Sequence, residues 1–179
     1  MKERDRYHEC PVRLSLEKAD VFHPRAGGDL SGSEGKSPTF LVSATQDPES
    51  ASLDRVQIIK GWVDVYGKTR EKIYNVSWSN AGKRKVNSQG KLTRVENTVD
   101  LSTGKWDNSV GAPELSTFWK DPSFKADQNA FYYVRVMEIT TPTWPVYDAL
   151  KFGIKLPDEV AKIQQERAYS SPIWYSPKG

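Results

Sequence analysis

Phe131-Tyr132-Tyr133-Val134-Arg135-Val136-Met137-Glu138-Ile139 is apolar at both parities. A strand with one face in water alternates apolar and polar residues, so this run predicts a central strand covered on both sides. Arg135 and Glu138 sit inside it, and embedded charges are expected to be paired. Glu138 with Arg135 or Arg167 is therefore read as a buried ion pair. Downstream, Thr141-Pro142-Thr143-Trp144-Pro145 cannot extend a ladder, because proline lacks the amide donor. It leads into Val146 to Phe152, where Tyr147, Leu150 and Lys151 fit one face of a short helix. Pro157-Asp158-Glu159 suits the first turn of a second short helix ending near Gln165. Arg167 to Tyr175 reads as the last strand.

Upstream, the longest β-type run is Val56-Gln57-Ile58-Ile59-Lys60-Gly61-Trp62-Val63-Asp64-Val65-Tyr66. Val56 and Ile58 share one parity, Val63 and Val65 the other. A glycine at such a phase change predicts a bulge at Lys60-Gly61, re-aiming Lys60 or Trp62. Ile73 to Trp78 returns with Tyr74, Val76 and Trp78 on one face, and Thr39 to Ala44 aligns Phe40, Val42 and Ala44. Arg94 to Leu101 and Leu115 to Trp119 are two further short strands. Residues 80–93, with Asn80, Gly82, Asn87 and Gly90 among lysines and Arg84, form a surface loop. Residues 1–37, broken by Pro11, Pro24 and four glycines, read as a weakly ordered lead-in to a β-rich domain over 38–179. The expectation is a mainly β chain: an antiparallel β-sandwich-like domain with one or two short helices near the C-terminus.

The 179 residues suffice for one domain with a real core. Six Trp and eight Tyr must supply much of it. A net charge of +3, from 26 basic and 23 acidic residues, calls for neither nucleic acid nor anionic lipid. One cysteine, Cys10, excludes an intrachain disulfide and a thiolate metal cluster. The charged start Met1-Lys2-Glu3-Arg4-Asp5-Arg6 is followed by no signal-type apolar region, and no stretch approaches the ~18 apolar residues of a membrane span. The expectation is a soluble chain whose compartment the sequence leaves open.

Catalysis of the Ser-His-acid kind needs a positioned base, and both histidines, His8 and His23, fall in the lead-in beside Cys10. Asp54, Asp64, Glu138 and Glu166 lie near predicted strands, but paired carboxylates work as acid and base only at a defined separation. Lys83-Arg84-Lys85 with Lys91 and Arg94 has no interleaved aromatic, so it reads as a solvated hairpin tip and not a nucleic-acid site. Aromatic faces on a sandwich can stack on sugars. Trp78 and Trp174, embedded in strands, are assigned to the core, whereas Trp106 and Trp144, near Gly104 and between prolines, are the candidates for sugar stacking.

Lys60-Gly61-Trp62, Ala130-Phe131-Tyr132-Tyr133-Val134-Arg135-Val136 and Glu166-Arg167-Ala168-Tyr169-Ser170-Ser171-Pro172-Ile173-Trp174-Tyr175 occur in that order. With Gly27-Gly28-Asp29-Leu30, Trp119-Lys120-Asp121-Pro122 and Thr141-Pro142-Thr143-Trp144, they resemble the C-terminal end of the bacterial family called domain of unknown function 3604. The resemblance covers roughly residues 27 to 177, and residues 1 to 25 depart from it. It implies longer relatives whose N-terminal part is similar to metal-dependent phosphoesterases, and no metal ligand of that part carries over to this chain. The resulting expectation is a noncatalytic accessory β domain, a fragment of a larger hydrolase-like protein of unknown substrate. It would hold no cofactor of its own and would partner an N-terminal metal-dependent domain. Lys60, Trp62 and Arg135 are the candidate cleft or interface residues. The alternative is a carbohydrate-binding module using Trp106 or Trp144.

Overall fold

The computed structural model describes residues 12–16, 26–31 and 36–177. Among them, the strands in chain order are β1 (Val12–Leu16), β2 (Asp29–Ser31), β3 (Thr39–Thr45), β4 (Leu53–Val63), β5 (Thr69–Trp78), β6 (Glu114–Lys120), β7 (Ala130–Pro142), β8 (Ile163–Tyr169) and β9 (Ile173–Ser176). Helix α1 (Trp144–Phe152) lies between β7 and β8. One sheet has the order β1-β3-β6, and the other runs β2-β9-β7-β4-β5 with β8 also paired to β7. Every pairing is antiparallel except β2 with β9. The fold is mainly β and sandwich-like, as the strand pattern implied.

The core lies where the two sheets meet. Phe40, Val42 and Ala44 of β3 and Leu115 of β6 pack with Val56 and Ile58 of β4, Tyr132, Val134 and Val136 of β7, and Ile173 and Tyr175 of β9. Each obeys the period-2 rule that sends alternate side chains to one face. Phe40 is fully buried against the Tyr132 ring at 4.8 Å between centroids, and burying such a side chain stabilises by about 1.5–3 kcal/mol.

Several expectations need correction. The β4 alternation does not slip at Lys60-Gly61. Val56, Ile58, Lys60 and Trp62 keep one parity, and the register shifts lie between Val56 and Gln57 and between Leu53 and Arg55. The apparent phase change arose because a lysine occupies a core-facing position and because the strand ends at Val63, leaving Val65 85% exposed in a turn. No second helix forms over 157–165. Val160 closes a turn onto Pro157, and Ile163 to Gln165 pair with Thr140 to Pro142, so ladder formation at an open edge of β7 overrides the local helix signal. The last strand is two, because Ser170, Ser171 and Pro172 interrupt it. Residues 94–101 form no strand. Asp100 accepts hydrogen bonds from the Ser102 amide and the Ser102 and Thr103 hydroxyls, a local bonding pattern that competes with a ladder.

The lead-in contains two strands. Val12-Arg13-Leu14-Ser15-Leu16 alternates apolar and polar residues, and its backbone pairs with Phe40 to Ala44. Asp29 to Ser31 pairs with Trp174 to Ser176. Helix α1 has proline in its first turn and ends on Gly153, in the left-handed conformation at φ 65°. It precedes two strands and so lies inside the fold, not at its end. It is too short to cross a membrane, and no described helix is long and apolar enough to do so.

Candidate functional site

The six-stranded sheet has a second face, turned away from the core. Register places side chains on it in transverse rows. Trp174, Phe131, Gly61 and Glu71 form one row, and Tyr133, Ile59 and Ile73 the next. Tyr169, Arg135, Gln57 and Asn75 follow, then Arg167, Met137 and Arg55. One end is therefore aromatic and the other rich in arginine.

At the aromatic end, Phe131 lies flat on Gly61. A Cβ added there would come within 2.2 Å of the ring, so only glycine leaves room. Phe131 stacks with Tyr133 at 6.3 Å and 12° and meets Trp174 at 5.2 Å, while Tyr133 meets Tyr169 at 6.3 Å. Ile59 is fully buried beneath this layer. The rings themselves stay open: Trp174 is 50% and Tyr169 55% exposed, with Ile73 at 41%. A groove of about 610 Å³ runs beside them, lined by Trp62, Val63, Phe131 and Trp174. Trp174 is thus not a core residue. Its parity matches Phe131, opposite which it pairs, and not Ile173 or Tyr175.

The residues expected at a cleft are divided by the structure. Lys60 is 2% exposed on the core side, where its Nζ donates to Asp121 Oδ2 at 2.6 Å and to the Ser123 carbonyl at 2.9 Å. Its ammonium also lies 5.4 Å from the Trp62 ring centre and 5.8 Å from that of Tyr132. The Tyr132 hydroxyl donates to the same carboxylate oxygen at 2.8 Å, and the Ser123 amide and hydroxyl donate to Oδ1. Burial pushes the Asp121 carboxyl up, but the bonds from Lys60, Ser123 and Tyr132 outweigh it and hold the group below its usual range. Burial and the Asp121 charge together push the Tyr132 phenol far up. Trp62 is half-buried against the core. Arg135 alone of the three lies on the outer face, where its Nε and Nη2 donate to Gln57 Oε1 at 2.9 and 2.7 Å.

The expected Glu138 ion pair takes another form. Glu138 accepts from the Ser50 hydroxyl at 2.9 Å while Arg135 donates to Gln57 Oε1, because residues three apart on a strand face opposite ways. Burial pushes the Glu138 carboxyl up. The buried carboxylate that does gather cations is Asp54, which is fully buried. Arg84 Nη2 donates to its Oδ1 at 2.5 Å, Gln165 Nε2 to its Oδ2 at 3.0 Å, and Arg55 Nη1 also to Oδ2. Arg84, assigned to a solvated tip, is 5% exposed and bonds also to the Ser79 and Thr93 carbonyls. Single residues in a polar loop carry no sequence signal of such burial.

Of the candidate sugar-stacking residues, Trp144 is 72% exposed and Trp106 half-buried. They belong to different elements, the helix and the 100s loop. Cys10, His8 and His23 lie outside the described residues, and among those described no three His, Cys, Asp or Glu residues group as metal ligands.

A family model described as "Protein of unknown function (DUF3604)" matches residues 17–177. No curated protein and no solved structure matches the chain.

Proposed function

The chain belongs to the DUF3604 family of proteins of unknown function, and from that premise we propose that it is a noncatalytic accessory β domain of a larger hydrolase-like protein. In this reading it packs against the hydrolase-like domain and forms one wall of its substrate cleft. The observation that supports the reading is the aromatic end of the outer sheet face, where Phe131, Tyr133, Tyr169 and Trp174 form a continuous ring layer with Trp174 and Tyr169 half open. Apolar rings arrayed on a rigid sheet bury large areas at small cost in side-chain entropy when a second surface covers them. Rings are enriched at such anchors, and a polar edge supplied by Glu71 and Arg70 fits the rim.

The test uses a longer family member. Replacing the residues equivalent to Trp174 and Tyr169 by alanine is expected to lower kcat/KM at least tenfold while thermal unfolding stays cooperative. Unchanged kinetics would overturn the reading.

Carbohydrate binding is the second reading, favoured by the 72% exposure of Trp144. Saturable quenching of tryptophan fluorescence by a polysaccharide, lost in Trp144→Ala, would support it against the first.

A further inference from the structure

The arginine end of the outer face has a chemistry that the aromatic end lacks. Arg55 of β4 and Arg167 of β8 flank Met137 of β7 in one transverse row, and Arg135 lies in the adjoining row between Gln57 and Tyr169. Directly opposed residues stand ~5 Å apart at Cβ, so three long cationic side chains rise from one small area. Met137, 5% exposed, forms the floor between them. A groove of about 1250 Å³ opens over the Arg55–Met137–Arg167 row, lined also by Gln57, Gln164 and Gln165 and walled by residues 86–92, and the row of Arg135 and Tyr169 adjoins it.

Among the described residues the local charges do not balance. Asp54 is shared by Arg84 and Arg55, one buried carboxylate against two guanidinium groups. Arg135 is held by the neutral Gln57. The guanidinium groups of Arg167, foremost, and Arg135 hold the Tyr169 phenol below its ordinary range. Glu138 sits apart on Ser50, and Glu166 accepts from the groove residue Gln164 at 2.6 Å while alternating to the other side of β8 from Arg167. Glu71 lines the groove but stands two rows away, across from Gly61. Burial reduces the proton affinity of Arg55, and Arg84, Arg135 and Arg167 add to that against Asp54. A neutral phenol and a neutral amide thus occupy positions where guanidinium groups favour an anion.

We propose that Arg55, Arg135 and Arg167 form a binding site for an oxyanion, a phosphate, sulfate or carboxylate carried by a small ligand, with Gln57 and Tyr169 at its edge. Guanidinium groups suit this role because their planar forks meet such anions with paired hydrogen bonds. The site adjoins the aromatic end at Tyr169, and its three arginines lie outside that ring layer.

Thermal unfolding and calorimetric titration of the intact chain test it, with inorganic phosphate, sulfate and citrate as probes and chloride matching ionic strength. At least one probe should raise the melting temperature saturably, as a ligand of the folded state must; which one responds identifies the anion class. Arg167→Gln, at an exposed edge position, should weaken that binding about tenfold, the loss of one charge-assisted contact. Lys83→Gln, away from the groove, should leave it unchanged. Absence of response to all three probes beyond chloride, or an Arg167→Gln response equal to the parent's, would overturn the proposal. So would preferential binding of single-stranded nucleic acid lost in Lys83→Gln.

Discussion

Asp121 and Asp54 are both buried carboxylates held by cations, and they differ in arithmetic. Asp121 has one ammonium, from Lys60, and completes its shell with Tyr132 and Ser123. Asp54 has two guanidinium groups and a glutamine, with Arg135 and Arg167 close enough to act on Arg55. A balanced, closed cluster pins two sheets together, since β4, β7 and the turn after β6 all contribute to it. A cluster with surplus cations at a groove has capacity left for an anion. Buried charge on its own therefore says little about function; the local sum and the access to solvent separate a structural pair from a recognition site.

The comparison breaks most visibly at Asp121. Asp121→Asn leaves the Lys60 ammonium buried beside a neutral group, and chemical denaturation should record a loss of ~3–5 kcal/mol, the usual cost of removing one partner of a buried pair. Adding Lys60→Met to that variant should restore much of the loss, because the uncompensated charge is then gone. Asp54→Asn should cost less, ~2–3 kcal/mol, since Arg84 keeps its bonds to Ser79 and Thr93. Phosphate should offset part of the second loss and none of the first.

Gly61→Val on the outer face sets a Cβ against the Phe131 ring, and denaturation should show ~1–3 kcal/mol of overpacking cost, with the ring displaced from Tyr133. Acid separates the carboxylates further. Asp121 has a folded value below its ordinary 3.8, so its stabilisation is full above 3.8 and is lost as pH falls through the lower value. Glu138 is raised above its ordinary 4.5, so its contribution is full below 4.5 and is lost as pH rises through the folded value. Glu138→Gln should accordingly stabilise the chain at pH 7 and not at pH 4, as thermal melts at the two pH values would show. The smallest effect on folding belongs to Trp174→Ala, below ~1 kcal/mol for a ring already half exposed.

Much of the sandwich is legible in the alternation of Phe40, Val42 and Ala44 and in the apolar run of β7, which is central in its sheet but buried on one face and half open on the other. Among the described residues its second side carries no further layer but a row of rings from β7, β8 and β9, which alternation cannot distinguish from a packed partner. The position of Lys60 escapes the sequence pattern for a related reason. Period-2 reading treats a charge as a break, whereas this lysine holds a core position because Asp121, 61 residues away, neutralises it. Arg55, Arg135 and Arg167 come from three strands brought together only by register, so no local motif could join them.

The central claim is that the outer face of the six-stranded sheet is a contact surface, and calorimetric titration against the separately produced N-terminal portion of a longer family member tests it most directly. The account predicts saturable binding with a negative heat-capacity change, the mark of buried apolar surface, abolished in the Trp174→Ala, Tyr169→Ala double variant. Equal binding by that variant, or no binding by the parent chain, would contradict it.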